Sequence, residues 1–182
     1  AEHMYVVTEP IKDLSPNLPL IRDTDGYIYV KEDAGRLLVG SFEPVAKPLP
    51  LDTLPNDTEF IELAEDWDHF ELPMTKALEL IPSLDTAPIR KFMNGPESFT
   101  PDNKFILGEA PELSGYFVGT GFNAYGIAAN GGAGRALAEW IVGGEPSMDL
   151  WPVDIRRFGE HHRDTKFLIE RTTEATGKHY TM

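Results

Sequence analysis

A run of glycines between two regular elements constrains this chain more than any other stretch. The run lies within Tyr116 to Trp140 and contains six glycines: Gly119, Gly121, Gly126, Gly131, Gly132 and Gly134. β-Forming residues precede it, and apolar residues at helical spacing follow from Ala133, so it predicts a strand, a glycine-rich loop and a helix. Glycine permits close backbone approach, and a helix start offers unpaired N–H groups. The pattern therefore indicates a site for an anion or an electron-rich ring edge; a tight turn with close packing is the alternative.

The composition of the chain excludes several classes of protein. A net charge of −14 over 182 residues argues against a nucleic-acid partner, because the phosphate backbone attracts basic surfaces. The chain has no cysteine, which excludes disulfides, thiolate metal sites and cysteine nucleophiles. No apolar run has the length of a bilayer span, so no membrane partner is expected.

The order of predicted elements indicates an α+β fold. A strand over Met4 to Thr8 is followed by a hairpin of two strands, Tyr27 to Lys31 and Arg36 to Phe42, around the turn Asp33-Ala34-Gly35. A helix follows, with Phe70 to Ile81 as its apolar face, Asp68 and Glu71 as a possible capping box, and Pro73 near its start. Further strands are predicted at Ile89 to Asn94 and Phe105 to Leu107, and a last helix after an Asp164 N-cap. We expect a mixed, mostly antiparallel sheet with flanking helices, and a separate Rossmann-type strand, loop and helix.

Several motifs together carry a resemblance to a known family. They read EHMYVVTEP from Glu2, GPESFTPD from Gly95, GEAPEL from Gly108, GTGFNAYGI from Gly119, LAEWI from Leu137 and DIRRF from Asp154. The chain resembles the FAD-dependent sarcosine and dimethylglycine dehydrogenases, within the D-amino-acid-oxidase-like flavoproteins. The resemblance covers nearly the whole chain.

The resemblance implies that the chain is a piece of a longer protein. Residues 1–100 would be a substrate-binding domain, residues 101–145 the last strand, loop and helix of the FAD-binding domain, and residues 146–182 a tail leading to a folate-binding region. The family's Gly-x-Gly-x-x-Gly fingerprint is absent, so the isolated chain is expected to be inactive and not to retain FAD. A cytoplasmic location is expected, or the mitochondrial matrix if the source is eukaryotic.

The implied reaction is the oxidative demethylation of sarcosine or dimethylglycine, with hydride transfer to the flavin and folate as a possible carbon acceptor. Two other hypotheses remain open. One is a non-catalytic, flavoprotein-like regulatory subunit of the pyruvate dehydrogenase phosphatase type, which would be an interaction protein. The other is a generic α+β binding module.

The resemblance also implies two catalytic residues. His3 lies in the first matched strand, where an imidazole could accept the proton of the substrate ammonium group. Tyr29 lies on the hairpin, and Tyr27 is expected on the same strand face. The alternatives are a surface histidine at a frayed end and half-buried sheet aromatics.

The expected cofactor-binding positions lie within the glycine run. They are Gly121, Phe122, Asn123, Tyr125, Gly126, Ile127, Gly131 and Gly132. The N–H groups of the helix start would favour the negative charge that a reduced flavin develops. Substrate carboxylate needs a cation, and Arg22, Lys31 and Arg36 are candidates; Ala128 stands near the position where some members of the superfamily have a lysine.

No metal site is expected. His161 and His162 are adjacent in sequence, so their side chains should point apart, and no carboxylate pattern completes a ligand set. Arg156 and Arg157 are interpreted as anchors of the tail through ion pairs.

Overall fold

The computed structural model of the chain describes residues 1–54 and 59–179. It divides into two compact units. The first unit contains Ala1–Pro96 and the segment that begins at Gly177, and the second contains Glu97–Thr176.

An antiparallel sheet of five strands forms the first unit. The strand order is β2-β3-β4-β1-β5, and the bounds are β1 Glu2–Thr8, β2 Ile21–Asp23, β3 Ile28–Asp33, β4 Arg36–Ser41 and β5 Ile89–Pro96. Alternate residues such as Met4 and Val6 are buried on one face, where they pack with Phe70 and Ala77 of helix α1, Trp67–Leu80. The apolar alternation thus puts the core on one side of the sheet and leaves the opposite face for other uses.

The predicted hairpin is confirmed between β3 and β4. Its two-residue turn has positive φ at both positions, 50° at Ala34 and 81° at Gly35, which is the combination that a type I′ turn needs. The prediction that Tyr27 belongs to this strand is wrong, because Tyr27 lies before β3 and has a φ of 57°. Strand alternation therefore does not put Tyr27 on the same face as Tyr29.

The start of α1 differs from the predicted capping box. The N-cap is Asp66, whose Oδ1 accepts a hydrogen bond of 3.0 Å from the His69 N–H. Asp68 therefore lies inside the helix, and Pro73 lies in its interior rather than near its start. Phe70, Pro73 and Ala77 are buried against the sheet, and the free energy of that burial offsets the loss of the backbone hydrogen bond that a proline cannot donate.

The second unit contains a two-stranded antiparallel sheet and two helices. Strand β6, Ile106–Glu109, pairs with β7, Phe117–Thr120, and the helices are α2, Gly126–Gly143, and α3, Thr165–Ala175. Ala136, Trp140 and Leu150 form its buried cluster. The predicted cap of α3 is confirmed, since Asp164 Oδ1 accepts from the Phe167 N–H at 2.7 Å. The chain is an α+β protein, as predicted.

The glycine-rich loop is shorter than predicted, because helix α2 begins early in the glycine run. The helix begins at Gly126 and not near Ala133, so Gly131, Gly132 and Gly134 lie inside it. Trp140 and Ala136 are buried on one side of α2, and their packing stabilises the helix against the low helix propensity of these glycines. The loop that joins β7 to α2 is therefore only the segment from Gly121 to Tyr125.

Among the described residues, no helix is both long and apolar enough to cross a membrane.

Candidate functional site

His3 and Tyr29 meet on the sheet face opposite the α1 core. The Tyr29 hydroxyl lies 3.5 Å from His3 Nε2, although the two residues are 26 positions apart in sequence. Phe42 packs against both rings, with ring centroids 4.9 Å from His3 and 5.8 Å from Tyr29. Both polar groups are half-buried beside an aromatic wall, which suits a site that binds a small amine.

Phe42 was not among the predicted site residues. It follows the end of β4, and its N–H donates to the Tyr27 carbonyl at 3.0 Å, which continues the ladder with the hairpin. Alternation along β4 puts Leu38, Gly40 and Phe42 on one face, but only the register of β3 against β4 shows that Tyr29 shares it.

The three candidate cations on the hairpin and its neighbouring strand differ in their strand register, ion pairing and position relative to this pair. Arg22 is the register partner of Tyr29, so both side chains leave the same face. Lys31 forms an ion pair of 3.6 Å with Asp33. Arg36 lies beside the turn, roughly 13 Å along β4 from Gly40 at about 3.3 Å per residue. Arg22 is therefore the cation best placed beside Tyr29.

A buried carboxyl group, Glu43, follows Phe42 but belongs to the core side of the sheet. Burial raises the pKa of Glu43, while the hydrogen bond from Ser41 Oγ, 3.0 Å, and the charge of His69 oppose that shift. Ser41 alternates with Gly40 and Phe42, so Glu43 lies away from the His3–Tyr29 face. We assign it no role in binding.

In the second unit, Asn123 holds the loop between β7 and α2. Its side chain is buried; Oδ1 accepts from the Thr100 N–H at 2.8 Å, and Nδ2 donates to the Gly121 carbonyl at 2.6 Å. The loop also closes tightly at Gly121, where a Cβ would stand 2.6 Å from Thr100 Cγ2. The Phe-Thr-Pro-Asp motif therefore supports the Gly-x-Gly-Phe motif, a role that sequence reasoning did not find.

The same loop contains three residues with positive φ. They are Gly121 at 63°, Asn123 at 51° and Ala124 at 66°. A left-handed conformation costs an alanine about 1–2 kcal/mol, so packing around Asn123 must hold Ala124 in place. Such conformations concentrate at ligand-binding loops because a fixed backbone direction is needed there.

Helix α2 begins directly after this loop, and its glycines Gly131, Gly132 and Gly134 are exposed. Its N-cap residue Tyr125 makes no side-chain capping hydrogen bond, and Ile127 is 93% exposed. Among the described residues, and leaving aside the chain neighbours and the backbone of α2 itself, no atom lies within 4 Å of the place where a Cβ of Gly131, Gly132 or Gly134 would stand. Packing against the described part of the chain therefore does not explain these glycines, and they leave room for a ligand or a further element.

Other predicted positions near this loop face neighbouring residues or solvent. Phe122 stacks on Phe105 with ring centroids 5.3 Å apart, and Tyr125 is partly exposed at the helix start. Gly126 opens α2. The predicted cofactor residues thus share one loop and the first two turns of α2, while Asn123 and Phe122 direct their side chains into the protein.

The predicted ion pairs of Arg156 and Arg157 are both observed, but only that of Arg157 ties the tail to another segment, because Arg156 pairs with Asp154 within the tail. Arg157 Nε donates to Asp102 Oδ2 at 2.6 Å and its Nη2 to Oδ1 at 3.1 Å, and Arg156 pairs with Asp154 at 2.6 Å. Burial alone would raise the pKa of Asp102, but the hydrogen bonds from Arg157 outweigh it and lower the pKa. The Phe-Thr-Pro-Asp motif is therefore tied to the tail as well as to the loop.

The two adjacent histidines do not point apart as predicted. The rings of His161 and His162 lie 3.9 Å apart, because the short 3₁₀ segment that carries them turns both toward Phe167. In residues 1–54 and 59–179, no group of three or more His, Cys, Asp or Glu side chains could hold a metal ion. His162 lines a pocket of about 660 Å³ together with Phe99, Gly121 and Phe158.

Comparison with known families accounts for nearly the whole chain. The family model described as "FAD dependent oxidoreductase" matches residues 1–140, and that described as "FAD dependent oxidoreductase central domain" matches residues 143–182. The chain belongs to the FAD-dependent oxidoreductase family. Both candidate regions, around His3 and around Asn123, lie within the first match.

Individual relatives of this FAD-dependent oxidoreductase chain have different described activities. It is 43% identical over 182 residues to the 4-methylaminobutanoate oxidase (formaldehyde-forming) of Paenarthrobacter nicotinovorans, covering 100% of this chain and 22% of that protein. It is 40% identical to mouse mitochondrial sarcosine dehydrogenase, covering 99% of this chain and 19% of that protein. It is also 44% identical to the mouse mitochondrial pyruvate dehydrogenase phosphatase regulatory subunit, covering 95% and 20%. The chain thus spans about a fifth of the length of these relatives.

Solved structures support the fold. L-proline dehydrogenase from P. horikoshii superposes with a TM-score of 0.67 at 20% identity, covering 86% of this chain and 39% of that one. Glycine oxidase from Geobacillus kaustophilus gives a TM-score of 0.66 at 23% identity, covering 87% and 39%.

Proposed function

We propose that the chain is part of an FAD-dependent oxidoreductase that oxidatively demethylates a small N-methylated amino acid, sarcosine or dimethylglycine. The observation that carries the proposal is the His3–Tyr29 pair on the sheet face opposite the core, with 3.5 Å between Nε2 and the hydroxyl. The names of the relatives support the substrate class, since sarcosine, dimethylglycine and 4-methylaminobutanoate all carry N-methyl groups.

The first task of these residues is to deliver a neutral amine. An N-methyl amino acid is an ammonium ion near neutral pH and cannot release a hydride while its nitrogen lone pair is protonated. His3 accepts that proton, because imidazole changes its charge near neutral pH. The Tyr29 hydroxyl holds His3 and the amine nitrogen in position, and Phe42 excludes water from one side.

The chain's residues fit an FAD site at the start of α2. The loop from Gly121 to Tyr125 has a fixed backbone, the helix start has no side-chain cap, and Gly131 and Gly132 leave open space beside it. Backbone N–H groups and the helix dipole at this end favour a negatively charged ring edge. FAD, when bound, supplies the acceptor for the hydride. We propose that Gly121, Gly126, Ile127 and the helix glycines contact it.

We propose that Arg22 binds the substrate carboxylate. Its replacement by alanine in the full-length protein is expected to raise KM by about 10–100-fold with a smaller change in kcat, since a charge-assisted hydrogen bond contributes about 1.5–3 kcal/mol. Steady-state kinetics measures the effect. Arg36→Ala is the matched control and is expected to stay within about threefold of the unmodified KM, because Arg36 lies by the turn. A larger effect at Arg36 than at Arg22 would reassign the carboxylate site.

The alternative function is that of a non-catalytic regulatory subunit, which the 44% identity to the pyruvate dehydrogenase phosphatase regulatory subunit supports. The two functions are separated by adding sarcosine, dimethylglycine or 4-methylaminobutanoate to the full-length protein without oxygen. We expect the flavin absorbance near 450 nm to bleach with at least one of these amines and not with glycine. Persistent absorbance with all three would favour the regulatory function.

The remaining parts of the proposal concern the whole protein. We propose the division into residues 1–100, 101–145 and 146–182 as substrate-binding domain, end of the FAD-binding domain and tail. A folate-binding region after the tail and a cytoplasmic or mitochondrial-matrix location belong to the same proposal.

A further inference from the structure

Gly40 lies in the centre of the sheet, between the two strands that carry the candidate catalytic residues. It is the register partner of Tyr29 on β3 and of Tyr5 on β1. Gly40 is buried, and its φ lies outside the left-handed region that favours glycine. Its backbone would therefore accept any residue, and a glycine in a central strand needs another reason.

The reason is the ring of Tyr29, which lies over Gly40. A Cβ on Gly40 would stand 2.2 Å from both Cζ and the hydroxyl oxygen of Tyr29, and 2.7 Å from Cε1. Real carbon atoms do not approach so closely, so the outer half of the ring occupies the volume that any other side chain at position 40 would take.

The sheet topology explains why the ring must lie there. His3 is on β1 and Tyr29 is on β3, and β4 separates these two strands. The strands are roughly 9.5 Å apart, twice the usual spacing, so a tyrosine standing upright on β3 would not reach β1. Leaning across β4 brings the hydroxyl to 3.5 Å from His3 Nε2.

We infer that Gly40 is a positioning residue for the Tyr29–His3 pair: its missing side chain is what lets the hydroxyl of Tyr29 reach His3. The inference rests on the proposed function for its effect on activity, but its geometric part does not. Any side chain at position 40 lifts the ring of Tyr29 and separates the two polar groups.

The test compares Gly40→Ala with Gly95→Ala in the full-length protein. Gly95 is the register partner of His3 on the same face and has no positive φ. Apart from its chain neighbours, no atom of residues 1–54 and 59–179 lies within 4 Å of where its Cβ would stand. Gly40→Ala is expected to lower kcat/KM to within about threefold of Tyr29→Phe and to shift the pH profile of kcat/KM. Gly95→Ala is expected to change neither. The double variant Gly40→Ala/Tyr29→Phe should be no worse than the poorer single variant, because both changes break one contact.

A crystal structure of Gly40→Ala separates the inference from the proposed function. An unchanged distance between Tyr29 and His3 would overturn the inference, as would multiplicative losses in the double variant. A lengthened distance together with full activity of Tyr29→Phe would uphold the positioning role and reject the catalytic role of Tyr29. If Gly40→Ala does not fold, Gly40→Ala/Tyr29→Ala provides the size-complementary rescue, and its failure to fold would show that Tyr29 is not the steric partner.

Discussion

Replacing His3 by alanine in the full-length protein is expected to lower kcat/KM for the N-methylated substrate by ~10²–10⁴-fold, the usual contribution of an acid–base group. The physical reason is that the substrate ammonium group then has no neighbouring acceptor for its proton. The loss should be greatest near neutral pH and smaller at high pH, where solvent already deprotonates the amine. The measurement is the pH profile of kcat/KM for the unmodified protein and the variant.

Two further variants make this prediction specific. His3→Gln keeps a hydrogen-bonding group but cannot accept a proton, so it should show the same change in pH profile as His3→Ala. His161→Ala removes an imidazole from the second unit and should leave the profile unchanged. Near-normal turnover of His3→Ala, with the original pH profile, would remove His3 from the catalytic residues.

The second large effect is expected from Asn123→Ala, which should destabilise the protein by about 3–5 kcal/mol. The substitution leaves the Thr100 N–H and the Gly121 carbonyl buried without their partner, at about 1–3 kcal/mol each, and puts an alanine at a φ that asparagine tolerates better. Thermal unfolding of the full-length protein measures the loss. FAD retention should fall with it, because Asn123 fixes the loop before α2.

Asn103→Ala is the matched control for this prediction. Asn103 also has a positive φ, 62°, but no described group hydrogen-bonds its side-chain oxygen. Asn103→Ala should therefore lower the free energy of unfolding by only about 1 kcal/mol, the cost of an alanine at a positive φ. Equal destabilisation by the two variants would mean that the hydrogen bonds of Asn123 contribute little, and that the loop is held by other contacts.

Sequence patterns predicted turns and helix caps well where they depend only on neighbouring residues. The turn at Ala34 and Gly35 and the cap at Asp164 depend on residues within a few positions, and both are observed. The position of Pro73 and the length of the glycine loop were predicted wrongly, because burial of Phe70 on α1 and of Trp140 on α2 outweighs the local preferences of proline and glycine.

The candidate site depends on information that local patterns do not contain. His3 and Tyr29 came from the family resemblance, and only the strand order explains how residues on non-adjacent strands meet. Phe42 and Gly40 become significant once the register of β3 against β4 is known. The support of Gly121 by Thr100 is a contact between two motifs some 20 residues apart, which a pattern search treats as separate signals.

The three glycines inside α2 lower the stability of the helix, and the proposed FAD site offers a reason for them. Each lowers the stability of a helix by roughly 0.5–1 kcal/mol relative to alanine, and no neighbouring described atom demands the absence of a Cβ at Gly131, Gly132 or Gly134. Replacing any of the three by alanine is therefore expected to stabilise the helix. If this side of α2 faces FAD as proposed, the missing side chains keep it accessible, and glycine-to-alanine changes made to stabilise the protein would obstruct it.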